Sequence, residues 1–324
     1  MWIWIATGVA FVAWTWMRSS SHTRLLDPRG RLVVVTGCDS GIGLMLALAL
    51  HNAGCSVLAT CLQPDGEGAT KLAASGIQVT RLDLRDVSTI SSLGQAVATM
   101  EDQGQKLWCV VNNAGVLTLA RFEWQTTDII LGQLQVNLCG AILVTKTLIP
   151  TLKKNKGRIV FVSSPQAILS SPNMAVYCAS KSGLESFADG LRREEPAIKV
   201  LVVRPFALPM RTGILQNNAQ QLRTMQQQMD QNAISEYGPE IKAMEEAFQQ
   251  CVGKVKSTDE ISERLSKCFL SAILSEQPRL FYDIAPVMPV FLLKLLCMLP
   301  NFIVDHLVAR GTHLSIIDMA NPDS

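Results

Sequence analysis

The chain has 324 residues, of which 48% are hydrophobic and only 17% charged, with a formal net charge of +2. That length suits one large domain with a sizeable core, and a near-neutral chain without a Lys/Arg block lacks the electrostatic footprint that nucleic-acid binding requires. Nine cysteines stand singly with no Cys-x-x-Cys pair, and the four histidines never fall at ligand spacing, so free thiols in a reducing compartment and no metal centre are expected.

From Met1 to Met17 no residue is charged, and Trp2, Trp4, Trp14 and Trp16 border the run. A helix needs roughly 20 residues to cross the hydrocarbon layer, with about 17 as the lower limit, and interfacial rings prefer its two edges. Residues 1–17 are therefore expected to form a membrane anchor. A cleaved signal peptide is the weaker alternative, for want of a basic leader and an Ala-x-Ala-like site. A basic linker over 18–30, with Arg18, Arg24 and Arg29, should stay cytoplasmic and leave the folded part facing the cytosol, at the endoplasmic reticulum membrane.

The folded part, 31–285, alternates short β-rich runs with helical stretches. Strands are expected at Leu32–Thr36, Ser56–Thr60, Val79–Leu82, Trp108–Val111, Arg158–Val162, Val200–Val203 and Arg279–Phe281. Such alternation predicts an α/β fold of Rossmann type, a doubly wound parallel seven-stranded sheet, here with an N-terminal membrane helix. The strands lack strict period-two alternation, as expected when helices cover both faces. A stretch rich in Gln, Met and Asn after the sixth strand predicts a helical substrate flap within 206–250. Residues 286–324 open on an apolar run to Leu299, interrupted by Pro289 and Lys294. It is too short to span a membrane and is expected in the membrane interface or over the substrate entrance, an ordinary buried helix being the plainer alternative.

The first strand runs into Thr36-Gly37-Cys38-Asp39-Ser40-Gly41-Ile42-Gly43 and then a helix. Glycines in the pattern Gly-x-x-x-Gly-x-Gly let the chain turn tightly, bring backbone amides to a pyrophosphate, and aim a helix N-terminus at its charge. From about Gly30 to Phe281 the chain resembles the short-chain dehydrogenase/reductase family, whose landmarks follow in order: Asp83 after the third strand, Asn112-Asn113-Ala114-Gly115 after the fourth, Asn137, Ser164, and Tyr177-Cys178-Ala179-Ser180-Lys181. The resemblance implies that Gly37, Asp39, Ser40, Gly41, Ile42, Gly43, Asp83, Leu84, Asn113, Ala114, Gly115, Tyr177, Lys181 and Pro205 hold the cofactor. It also implies that Asp83 holds the adenine ring and that Asn137 carries a proton-relay water.

Residue chemistry points the same way. Tyr177 and Lys181 lie four apart on a helix and share a face. An ammonium beside a phenol, with an oxidised nicotinamide nearby, favours phenolate, so Tyr177 is the expected general base in oxidation and general acid in reduction. Ser164, at a strand end, is expected to hydrogen-bond the substrate oxygen. No Arg or Lys follows the second strand or precedes Gly41, so NAD is expected rather than NADP. Cys61 holds the usual place of the ribose-binding aspartate, leaving Asp65 as a possible substitute.

Thr36–Gly41, Ala59-Thr60-Cys61-Leu62 and the apolar C-terminal segment are similar to the branch of retinol, hydroxysteroid and 3-hydroxybutyrate dehydrogenases. The resemblance implies a membrane-associated enzyme, expected as a homodimer, acting on a lipophilic alcohol or ketone such as a steroid or retinoid. Steroid hormone synthesis is one setting that fits. Two alternatives stand beside it: a small hydroxy-acid dehydrogenase, with Arg204 or Arg211 as carboxylate clamp, and a non-catalytic nucleotide-binding scaffold. One departure affects the nicotinamide loop, since Phe206 replaces the usual glycine after Pro205 and Thr212 comes two positions late.

Overall fold

The computed structural model describes residues 24–206, 218–254, 259–285 and 287–308. The expected anchor and most of the basic linker, the loop residues Met210, Arg211 and Thr212, and the C-terminal tail lie outside them. Seven strands, β1 (Arg31–Val35), β2 (Ser56–Cys61), β3 (Gln78–Arg81), β4 (Lys106–Asn112), β5 (Arg158–Val162), β6 (Lys199–Pro205) and β7 (Phe281–Ile284), form one sheet in the order β3-β2-β1-β4-β5-β6-β7, every neighbouring pair parallel. This is the expected doubly wound sheet. Its strand order reverses between β1 and β4, so a crevice opens beyond their C-terminal ends.

Helices cover both faces, which is why Leu32 to Val35 are buried without alternation. On one face α1 (Gly41–Asn52), α2 (Glu67–Ala74) and a late helix, Asp259–Leu274, pack over Val33, Val57, Val160 and Leu201. On the other, α3 (Val87–Asp102), α5 (Ala141–Asn155) and α6 (Ala175–Glu194) pack over Val34, Val110, Phe161 and Val202. Helix α5 continues α4 (Thr127–Leu134) through a π-helical turn, Gln135–Gly140. Among the described residues this run, Thr127–Asn155, is the one helix long and apolar enough to span a membrane, yet its Val144, Leu148 and Leu152 belong to the core.

Several segments differ at their ends from the sequence expectation, β4 beginning two residues early and β6 ending two residues late. Strand β7 begins two residues late, because Tyr282 and Ile284 reach the core whereas Leu280 and Phe281 remain 46% and 39% exposed. The flap is helical, as α7 (Asn218–Gln227) and α8 (Gln231–Lys254), the second passing the expected end at 250. The late helix is α9 (Asp259–Leu274), and α10 (Val287–Leu296) and α11 (301–308) are the last of the described elements.

The lower edge of the sheet is locked by cations and carbonyls. Trp108 donates Nε1–H to the Ile273 carbonyl at 2.8 Å, and Arg31 and Arg158 lie over its ring at 4.0 and 4.5 Å. Arg158 also donates to the carbonyls of Ala272 and Ser275, and Leu26 N–H bonds the Leu274 carbonyl, tying the segment before β1 to the end of α9.

Phe161 is fully buried at the centre of β5 and meets Phe187 of α6 edge-on at 5.8 Å. Phe161→Ala is expected to cost about 3–5 kcal/mol, seen as a lower urea midpoint at unchanged m-value; a loss below about 1 kcal/mol would contradict this packing.

Candidate active site

At the reversal point the loops after β1 and β4 are stitched together. Thr36 Oγ1 accepts the amides of Asn113 and Ala114, each at 3.0 Å, while Asn113 Nδ2 donates to the carbonyls of Thr36 (2.8 Å) and Gly37 (3.2 Å). Gly37 has φ +71°, and a Cβ there would stand 2.8 Å from the Ala114 Cα; one on Gly43 would lie 2.1 Å from the Gly37 carbonyl oxygen. Only glycine fits either place. Ser40 precedes α1 without a side-chain cap, so the first amides of that helix, from Gly41 through Gly43, stay open to an anion.

Asp39 turns towards β2. Its carboxylate accepts the amides of Leu62 (3.0 Å) and Gln63 (2.9 Å), and its carbonyl oxygen lies 2.0 Å from where a Cβ on Gly68 would be. Cys61 is wholly buried, and Asp65 is exposed. The acid at the exit of β2 is therefore Asp39, within the glycine loop. Asp83 meets Arg85 in a two-pronged ion pair, whose hydrogen bonds hold its carboxyl below the usual range against the opposing effect of burial. Leu84 packs under Gly140, where a Cβ would lie 2.5 Å from its own.

Ser164, Tyr177, Lys181 and Asn137 come together at the mouth of this cradle, all buried. β5 delivers Ser164, whose hydroxyl hydrogen-bonds the Tyr177 phenol. α6 carries Tyr177 and, one turn on, Lys181, whose Nζ donates to the Val162 carbonyl at 2.8 Å and stands 5.9 Å from the Tyr177 ring centre. A Cβ on Gly115 would lie 3.3 Å from Asn137 Oδ1 and 3.5 Å from Lys181 Nζ, so that glycine keeps the backbone close to both. Asn137 sits in the π-turn with its amide anchored by three hydrogen bonds: Oδ1 accepts Val116 N–H and Nδ2 donates to the Val116 carbonyl, both at 2.8 Å, and to Ser180 Oγ at 3.1 Å. Pro205 ends β6 opposite Ile284, and Phe206 N–H continues the ladder to the Ile284 carbonyl.

Several working residues escaped the sequence reading. Thr36 was visible as the hydroxyl before the first glycine, but nothing in the sequence joins it to Asn113. Ser180, between Tyr177 and Lys181, faces inward to the Tyr177 carbonyl and Asn137. Asn218 and Gln221 clasp the chain beyond Gly115, accepting Leu119 N–H at 2.7 Å and the Thr118 hydroxyl at 3.0 Å. Above them Leu222, Met225, Ile241 and Met244 pack on Leu119 and Trp124, an apolar cluster that reaches Met174 just before α6. Arg204 is committed to Glu185 and Asp283 and is not available as a carboxylate clamp.

A glycine cradle at a reversal of parallel strands, with a buried phenol and amine facing it, marks the class: an oxidoreductase working with a nicotinamide cofactor. The chain belongs to the short-chain dehydrogenase/reductase family, since the family model for short chain dehydrogenase matches residues 31–223. Among its relatives, the short-chain dehydrogenase/reductase family 9C member 7 of Bos taurus is 34% identical, covering 91% of this chain and 93% of its own length. Human 17-beta-hydroxysteroid dehydrogenase type 6 is 32% identical over 96% and 98% of the two chains, and human retinol dehydrogenase 5 is 31% identical over 87% and 89%. The chain thus falls in the retinol and hydroxysteroid branch. A short-chain dehydrogenase from Burkholderia phymatum solved with NAD shares the fold at a TM-score of 0.66 and 20% identity, covering 82% of this chain and 93% of its own.

Burial sets the proton affinities. It raises the Tyr177 phenol above its ordinary value, the Ser164 hydrogen bond opposing and Cys178 adding to the rise. It pulls Lys181 down from 10.5 to about 8, Glu185 partly restoring it. The protein by itself thus leaves the phenol protonated. Between pH 8 and 10.5 the unfolded chain holds a proton on this lysine that the folded one has lost, so stability rises with pH across that window. Below it, burying the charge costs roughly 3 kcal/mol, against about 1.5–3 kcal/mol for the charged hydrogen bond to Val162. The two nearly cancel. Lys181→Met is expected to unfold at pH 7 within about 1 kcal/mol of the natural protein and to lose the rise in stability above pH 8; urea titrations at the two pH values check both.

Proposed function

We propose that this chain is an NAD-dependent oxidoreductase that interconverts a secondary alcohol and a ketone, or a retinoid alcohol and aldehyde, on a lipophilic substrate of the steroid or retinoid kind. One observation carries the reading: Tyr177 and Lys181 are buried side by side against Ser164, facing the glycine cradle. Bound there, the cofactor supplies the hydride acceptor in oxidation and the donor in reduction. The loop amides from Gly37 to Gly43 hold its pyrophosphate, Asn113, Ala114 and Gly115 line its inner side, and Pro205 bounds the nicotinamide end. Ser164 donates to the substrate oxygen while Tyr177 takes the hydroxyl proton, or returns it in reduction. Lys181 passes the proton outward and lowers the phenol's affinity when it is itself charged. Both Nδ2 hydrogens of Asn137 are engaged, so a relay water would be held as a donor, to a carbonyl of the π-turn main chain or to the second lone pair of Oδ1.

NAD is favoured over NADP because the Asp39 carboxylate lies at the exit of β2, where it would repel a 2′-phosphate, and among the described residues no cation pairs with it. The Met- and Leu-lined flap over Met174, together with the relatives named for steroids and retinol, supports an apolar substrate. A membrane location is supported by α10 and α11, which leave Phe291, Leu292, Leu295, Met298 and Phe302 exposed, the last two by 82% and 74%. Their connection touches the segment after Ser164, Cys297 Sγ lying 3.8 Å from the Ile168 carbonyl, so the apolar surface adjoins the site. Free thiols throughout the described residues suit a cytosol-facing domain at the endoplasmic reticulum. Pairing as a homodimer is supported by the apolar Thr127–Asn155 run, only 28% of whose greasiest window is buried.

Purified protein with NAD is expected to form NADH with members of a steroid and retinoid alcohol panel. Tyr177→Phe should lower that rate roughly 10²–10⁴-fold while NAD binding, measured by calorimetry, persists; turnover surviving the substitution would overturn the assignment. Asp39→Asn should narrow the preference for NAD over NADP by roughly tenfold or more, read as the ratio of dissociation constants. An unchanged ratio would remove Asp39 from cofactor choice.

A further inference from the structure

One helical turn beyond Lys181 four charges form a line. Arg204, buried at the end of β6, directs Nε (2.7 Å) and Nη2 (2.6 Å) to the two carboxylate oxygens of Glu185 on α6, and Nη1 (3.1 Å) to Asp283 of β7. The other oxygen of Asp283 accepts Lys294 Nζ of α10 at 3.1 Å, and the guanidinium lies 4.5 Å over the Phe281 ring. Burying such a group costs several kcal/mol per ion, and an apolar replacement is often as stable. Stability alone is therefore a poor account of it.

Its placement is more telling. Glu185 shares the α6 face of Tyr177 and Lys181 at successive intervals of four. β6 also sets the height of the neighbouring strand end, since Ser163 N–H bonds the Val203 carbonyl at 2.8 Å, next to Ser164. The Arg204–Glu185 pair ties the helix carrying the phenol and amine to the strand that levels the serine. We propose that Arg204 is a positioning residue: by clamping Glu185 it keeps α6 in register with Ser164 and withholds a carboxylate charge from Lys181. Its effect on turnover rests on the oxidoreductase reading; its effect on α6 does not.

Lys181 is faced by Tyr177 and Glu185 on its own helix, by the Val162 carbonyl and Ser164 at the end of β5, and by Asn137 of the π-turn beside Gly115. Among these described groups Glu185 is the fixed charge. Burial has brought Lys181 to about 8, with Glu185 pulling upward, so the balance is sensitive to whether that carboxylate is clamped.

The test compares Arg204→Met, Arg204→Lys and Glu185→Gln by the pH dependence of kcat/KM. In Arg204→Met the released carboxylate keeps Lys181 protonated further, and the alkaline limb is expected to move up by roughly one pH unit with kcat down about 10–100-fold. Arg204→Lys should return the limb to its natural place, and Glu185→Gln should move it down. A limb that stays put in Arg204→Met while kcat and Tm fall would make Arg204 merely structural and overturn the proposal. Should Arg204→Met not fold, Glu185→Gln decides, a fixed or raised limb counting against it. If the natural protein turns over no alcohol, the oxidoreductase reading is what has failed, and hydrogen exchange of the α6 amides decides instead. Faster exchange in Arg204→Met than in Arg204→Lys supports the clamp, and equal exchange overturns it.

Discussion

Where the strand order reverses, the loop after β1 lies against the loop after β4 with no space for a single added carbon: Gly37 meets the Ala114 backbone, and Gly43 meets the Gly37 carbonyl. Thr36 and Asn113 make that approach specific by hydrogen-bonding across it in both directions. The rest of the site depends on this closeness. It leaves the first amides of α1 uncapped, and through Gly115 it brings the β4 loop within reach of Asn137 and Lys181. A larger residue at either loop would part the halves of the crevice and separate the phosphate cradle from the proton-handling groups.

The second constraint is electrostatic. Lys181 is a buried cation whose partners are neutral, apart from a carboxylate already claimed by Arg204. Stability alone gives no reason to keep a lysine placed so, because its desolvation roughly cancels the hydrogen bond it makes. The same desolvation brings its proton affinity close to neutrality, where a group can both hold and release a proton. Tyr177 is driven the opposite way by the same burial, so the free protein stores a neutral phenol beside a labile ammonium. A positive charge arriving in the cradle would tilt that pair towards phenolate.

Most of this architecture was legible before any coordinates. Val33 to Val35 leading into three glycines, and Tyr177 four residues before Lys181, are local patterns whose meaning is fixed by helix and strand geometry. What stayed hidden was the pairing of distant residues. Cys61 stands in the place usually taken by an acid, and the sequence left Asp65 as no more than a possible substitute; Asp39 was expected in the cofactor loop, but not that its carboxylate would fold back onto the amides of Leu62 and Gln63. Asn137 was expected from the resemblance, but that its side-chain amide would tie the π-turn to Val116 and Ser180 was not readable from the sequence. Arg204 looked like a clamp for a small acid and proved to be neutralised from both sides. Each case turns on a contact between segments at least nineteen residues apart, or on a side chain with two possible directions, which periodicity does not resolve.

The loss of Arg204 as a free cation also bears on substrate class. A small hydroxy acid would enter as an anion and need a cationic clamp to offset the loss of its hydration, and Arg204, the one of the two candidates within the described residues, already has two carboxylates. An uncharged apolar alcohol has no such need. Its binding gains instead from the surfaces that adjoin the site, the Met174–Met225–Met244 cluster on one side and the exposed apolar helices beyond Ile168 on the other. Lys294, the charge within α10, is paired with Asp283, which partly neutralises it beside the exposed apolar residues of that helix. The arrangement of charge, together with the apolar residues, thus supports the lipophilic substrate proposed above.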